Sequence, residues 1–230
     1  MKELLRTNGH CELPCWWGIR PGEPLSDAQI SLIFQAPFHR ITDTRIDFGF
    51  EYGKSRSSLD FDYSVGAAVF LTDGVISQVS VASSVLDAGT SAQFAQDWQP
   101  FALQRMLTRF GVPSDVRLAA NEYIPEEGAP FLFQLTVIYA DKGIAIQYNG
   151  FLQKRAGKLM LCPALSHVTD INLQLTRQGN AAQLWDQLRT WSLMNIDYAD
   201  PLQDRSALSL TDFYTTFRDA PDACFRPFKD

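Results

Sequence analysis

Histidine and cysteine are scarce in this chain, at three and four of 230 residues, and its 20 Lys and Arg are outnumbered by 26 Asp and Glu. Each shortage narrows the chemistry. Three histidines, each in a different context, are few for a metalloprotein. A net charge of -6 with no run of Lys or Arg argues against a nucleic-acid backbone or an anionic bilayer as the main partner. No apolar run approaches the roughly 20 residues needed to cross a bilayer, so no transmembrane segment is expected. The common catalytic signatures are missing too: no Gly-x-Ser-x-Gly elbow, Walker loop, Rossmann glycine fingerprint or His-Glu-x-x-His. Ser166, His167 and Asp170 are close in sequence, but a triad is assembled by fold geometry, not by adjacency. No cofactor is expected.

What is present describes a globular protein. A hydrophobic share of 46% and a charged share of 20% suit a buried core, and no linker or low-complexity tract divides the chain. Ser26 is a natural N-cap for a helix over 25–34, with Ile30, Ile33 and Phe34 on one face. Before the first strands, "FQAPFHRI" reads as an apolar-Pro turn. Ile46, Phe48, Phe50 and Tyr52 alternate, as do Leu59, Phe61, Tyr63 and Val65, and Asp73-Gly74 marks a hairpin within 67–81. These give a meander of four strands over 44–81. Asp60, Asp62, Asp47 and Glu51 then fall on its solvated face.

The pattern recurs. Leu103, Met106, Leu107 and Phe110 have helical spacing with Gly111 as the stop, and strands follow over 131–148. Farther on come one or two strands over 159–175 and an amphipathic helix over 181–191. A helix over 209–217 opens with Ser209 and Asp212 in capping-box spacing. The expected fold is α+β: one compact unit in which two helix-plus-antiparallel-sheet units, 19–90 and 91–150, stand in tandem. A C-terminal segment of strand and helices, 151–230, completes it.

Four cysteines allow three pairings. The segment "HCELPC" admits three chemistries. Cys11 and Cys15 suit a structural disulfide; His10, Cys11 and Cys15 are soft enough to hold a metal; a dithiol redox centre is the third reading. Clustered cysteines in an exported protein need only disulfides, which favours export. Proximity then pairs Cys11 with Cys15 and leaves Cys162 with Cys224. The start "MKELLRTNGH" is too short and polar for a signal peptide, so export implies a removed N-terminal segment. The cytoplasm is the alternative.

The stretch "LPCWWGIRPGEPLSDAQ" resembles uncharacterised exported proteins and lipoproteins that open L-P-C-W-W-G-I-x-P-G. The "P-G-x-(S/T)" before a helix and "FGVPSDV" before strands are similar to the SmpA/OmlA (BamE) lipoproteins and the β-lactamase inhibitor protein. That resemblance implies an extracytoplasmic, non-enzymatic binding module, two units in tandem as in the inhibitor. No lipobox is present. The expected function is therefore an interaction module for an unknown protein or cell-envelope component, its contact surface being the sheet face that helices leave open or the loops bordering it. The alternative is an enzyme, or a thiol-redox or metal-binding protein, using the HCELPC segment. Candidate contact anchors are Trp16, Trp17 and Tyr123, the last in a long loop over 121–131.

Overall fold

The structure, a computed structural model, describes residues 2–52, 63–85, 92–120, 131–177, 184 and 199–228. Strands β1 (Phe38–Ile41), β2 (Arg45–Tyr52), β3 (Tyr63–Thr72) and β4 (Val75–Val85) follow one another as a meander. The turn between β3 and β4 is Asp73-Gly74, both at positive φ, the geometry that a two-residue hairpin loop requires. β5 (Asp115–Ala120), β6 (Leu132–Tyr139) and β7 (Ile144–Phe151) form a second meander. β8 (Gln153–Arg155) and β9 (Lys158–Met160) make a small hairpin apart from it. β10 (Val168–Thr176) and the two-residue β11 (Asp200–Pro201) complete the strands among the described residues.

The expected tandem of two helix-plus-sheet units is overturned by β10. It pairs antiparallel with β4 on one side and with β7 on the other, so the two meanders are joined edge to edge. The result is one nine-stranded antiparallel sheet in the order β1-β2-β3-β4-β10-β7-β6-β5-β11. A strand from the segment assigned to the C-terminal region thus lies at the middle of the sheet. The meander also differs from expectation. β3 is one strand of 10 residues where two were expected, and β1 occupies the stretch read as a turn. Leu59, Phe61, Asp60 and Asp62 lie outside the described residues, as does most of 181–191.

Alternation assigns the two faces. In register across the sheet, Phe48, Ala67, Val81, Leu173, Ile146, Val137 and Val116 share one face, the apolar one. Onto it pack helices α1 (Lys2–Thr7), α2 (Asp27–Phe34), α3 (Ala92–Asp97), α4 (Leu103–Phe110), α5 (Leu202–Arg205) and α6 (Leu210–Asp219). Each contributes buried side chains to one core, among them Leu5, Ile33, Phe94, Met106, Leu202 and Phe213. α2 and α6 open on reciprocal caps: Ser26 with Gln29, and Ser209 with Asp212. Gly111 at φ 80° ends α4, a conformation that costs a residue with a Cβ. A 3₁₀ turn at Gln99–Phe101 separates α3 from α4.

Among the described residues one charged side chain lies wholly inside. Asp97, at the end of α3, accepts from the Arg6 guanidinium at 2.6 Å, the Tyr63 hydroxyl at 2.6 Å and the Gln93 amide at 2.8 Å. It therefore ties α1, α3 and β3 together under the core aromatics Phe94 and Trp98. Paired and hydrogen-bonded on this scale, a buried carboxylate is tolerated; alone it would not be.

Candidate functional site

The N-terminal motif folds back on itself as a brace. Cys11 and Cys15 are disulfide-bonded with Cα atoms 5.8 Å apart, and Leu13–Pro14 between them is cis. The buried Asn8 side chain holds the loop from beneath. Its Nδ2 donates to the Cys11 and Cys15 carbonyls, each at 2.8 Å, and its Oδ1 accepts from the Trp17 amide at 3.2 Å. With those groups satisfied, the chain can turn the next two residues inward. The Trp16 and Trp17 rings stack 4.0 Å apart, and reach Phe48 and Phe50 at 6.0 and 5.5 Å.

Exposure decides their role. Trp16 is 0% and Trp17 3% exposed, so neither offers a partner a ring face, and their candidacy as contact anchors is corrected to a place in the core. Tyr123, the third anchor, lies outside the described residues. The Trp16 and Trp17 indole nitrogens find no acceptor among the described residues, and the rings contribute apolar area to the core. In the HCELPC segment the two sulfurs are joined to each other, which is the form of a structural disulfide and equally of an oxidised dithiol pair, whereas a metal held by His10, Cys11 and Cys15 would need them as thiolates. Among the described residues no group of three or more His, Cys, Asp or Glu is placed to share a metal ion. Cys162 and Cys224 form the second disulfide, across 62 positions, and Leu161 and Phe225 bridge backbone to backbone beside it.

The other face of the sheet carries uncharged polar side chains. Gln78 and Ser80 on β4, Asn172 and Gln174 on β10, Gln147 and Asn149 on β7, and Gln134 and Thr136 on β6 lie in register. Sequence alternation reads this face as solvated, yet Ser80, Gln174, Gln147, Asn149, Gln134 and Thr136 are all buried. Leu184 and Ala199 pack there with Ile138 and Ala145. The amides bond laterally: Asn172 donates to Gln147 at 2.8 Å, Ser80 to Gln174 at 2.5 Å, and Gln78 to Ser80 at 3.1 Å. Asn149 Oδ1 and Gln174 Nε2 are buried and find no partner among the described residues. Its hydrogen bonds run between neighbouring strands, from β4 to β10 and from β10 to β7.

Open surface chemistry appears at the edge of the sheet. Of the four exposed large apolar side chains among the described residues, Phe34 (55%), Phe38 (63%) and Ile41 (45%) belong to the end of α2 and to β1. All four residues of β1 are exposed. The Phe34 ring meets His39 edge-on at 5.1 Å, and His39 Nδ1 lies 3.2 Å from the Ala36 carbonyl oxygen. Phe38 lies over Gly49, its cross-strand partner, where the missing side chain leaves room for the ring. Sequence reasoning missed this strand because four residues behind a proline show no alternation long enough to read. Phe34 was visible, but as a helix-face residue. At His167, ahead of β10, burial first and the Arg155 charge second hold the pKa below the usual histidine value, with Asp222 opposing.

No protein-family model matches the chain, and neither the curated proteins nor the solved structures contain a match to it.

Proposed function

We propose that the chain is an extracytoplasmic interaction module that holds a protein or another cell-envelope component and has no catalytic centre of its own. The observation that carries this reading is the exposed edge at α2 and β1, where Phe34 and Ile41 stand on one side of the strand and Phe38 on the other. Large apolar side chains left in water at one edge mark a contact surface when the rest of the apolar complement has found a core. Two disulfides suit an oxidising compartment, and the resemblance of the L-P-C-W-W-G-I-x-P-G opening to exported proteins supports the same setting.

The test is capture from a detergent-solubilised envelope extract by the immobilised chain. The Phe34→Ser/Phe38→Ser/Ile41→Ser variant should keep its melting temperature and lose the captured component. A folded triple variant that captures as well as the parent, or turnover of a substrate by the parent, overturns the reading.

A further inference from the structure

The two ends of the sheet are protected very differently. At one end β11 is two residues long and contains Asp200 and Pro201, so it offers almost no ladder to an incoming strand. At the other end β1 has no proline, no lysine and no bulge among its four residues, Phe38-His39-Arg40-Ile41. Its hydrogen-bonding phase follows from its neighbours. The Thr42 amide donates to the Arg45 carbonyl, and the Leu71 amide on the far side of β2 donates to the Thr44 carbonyl. In an antiparallel ladder the phase alternates, so Phe38 and Arg40 turn their backbone groups toward β2. His39 and Ile41 turn theirs outward.

We infer that β1 is the docking edge for an extended segment of another protein, which adds as a tenth strand, antiparallel, with an acidic residue opposite Arg40 and apolar residues opposite His39 and Ile41. This rests on the interaction-module reading and names its partner class. The incoming strand exchanges backbone bonds with His39 and Ile41, the two outward-facing residues. Its apolar side chains at those positions fall on the side where Phe34 stacks on His39. Its acidic side chain falls on the opposite side, beside Arg40, which has no ion-pair partner among the described residues, and next to the Phe38 ring. The edge thus reads an apolar–acidic–apolar segment.

Charge excludes a second copy as the occupant. In the full-overlap two-fold pairing of β1 with itself, His39 faces Ile41 of the other copy and Arg40 falls directly opposite Arg40. Like charges opposed on one face destabilise a pair, and each copy carries a net charge of -6 besides. A carboxylate in that position removes the conflict.

The test uses the intact, oxidised chain and a fluorescein-labelled peptide in which two threonines flank Val-Glu-Val, read by anisotropy. The glutamate peptide should bind, and a lysine-centred peptide should bind roughly tenfold more weakly. Arg40→Glu should reverse that preference, read once its melting temperature is known because it also sets a carboxylate opposite Asp47, and the neutral Arg40→Gln should abolish it. Methylating the two valine backbone nitrogens of the peptide should abolish binding while keeping its side chains. Equal binding of both peptides, retention by the methylated peptide, or a dimer in sedimentation that the triple serine variant dissolves would overturn the strand-pairing proposal. If no peptide binds while the triple serine variant still loses its captured component, the edge proposal falls and the interaction reading stands. If capture by the triple variant is unchanged, the interaction reading falls with it.

Discussion

Replacing Asp97 by alanine removes the acceptor shared by three elements, and the structure allows the loss to be apportioned. The Tyr63 side chain is fully buried, so its hydroxyl, 2.6 Å from Asp97, would be stranded away from water. An unsatisfied buried group costs about 1–3 kcal/mol. Arg6 is different: its side chain is 41% exposed and can turn to solvent, so its pairing contributes under about 1 kcal/mol. Gln93 loses both of its 2.8 Å bonds to the carboxylate, which adds about 1 kcal/mol. The expected total is about 2–5 kcal/mol, overlapping the range for breaking a buried charge pair. Urea unfolding followed by tryptophan fluorescence should show the midpoint falling with an unchanged slope. Tyr63→Phe in the Asp97→Ala background should then be nearly neutral, because the stranded hydroxyl has gone; the cycle isolates that coupling. A loss below about 1 kcal/mol for Asp97→Ala, or a full additional penalty for Tyr63→Phe, would refute the idea that this carboxylate joins α1, α3 and β3.

Three further outcomes are expected. Cys162→Ser/Cys224→Ser opens a loop of 62 positions and should cost about 4 kcal/mol in guanidinium unfolding; a loss under about 1 kcal/mol would contradict it. Trp17→Ala removes a buried ring stacked on Trp16 and should cost about 3–5 kcal/mol, read as a lowered melting temperature, whereas a surface platform residue would cost almost nothing. His167 has a folded pKa below its ordinary 6.5, so the unfolded chain takes up the proton first. Its contribution is present above the ordinary value and is lost as pH falls through it, and His167→Gln should flatten the melting-temperature profile between about pH 7 and pH 5.

Much of the local structure was legible because its causes are local. Ser26 with Gln29 and Ser209 with Asp212 satisfy amides three residues away, and Asp73-Gly74 accepts the positive φ of a tight hairpin. The alternation of Ile46, Phe48 and Phe50 follows from one buried face. The joining of the two meanders was not legible, because Gln174 and Ser80 are 94 positions apart and nothing in either segment names the other. Reading two separate units followed from stopping at local pattern. The buried amide layer was missed for a related reason. Polar residues at alternate positions show only that a face is not part of the helix-covered core, and Gln147 or Gln134 looks the same whether water or chain lies over it. The tryptophans were ambiguous until Asn8 was seen to hold the disulfide loop and turn both rings inward. β1 could not be found at all by periodicity, although its Phe38 and Ile41 are among the most exposed apolar residues described.

The central position of β10 has a consequence for how the chain comes together. Both meanders are built from neighbours in sequence, so they can form early, but each then presents a long unpaired border: β4 on one and β7 on the other. Those borders carry Val79 and Val81, and Ile144 and Ile146, beside open backbone groups. Such borders recruit other chains readily. Only when residues 168–176 are available can one strand seal both at once, and the closure spans contacts of high sequence separation, which form slowly. The chain is therefore most prone to associate wrongly in the interval before β10 arrives. A truncation ending at residue 160 should keep its hairpins and aggregate, while a longer chain that includes β10 should not.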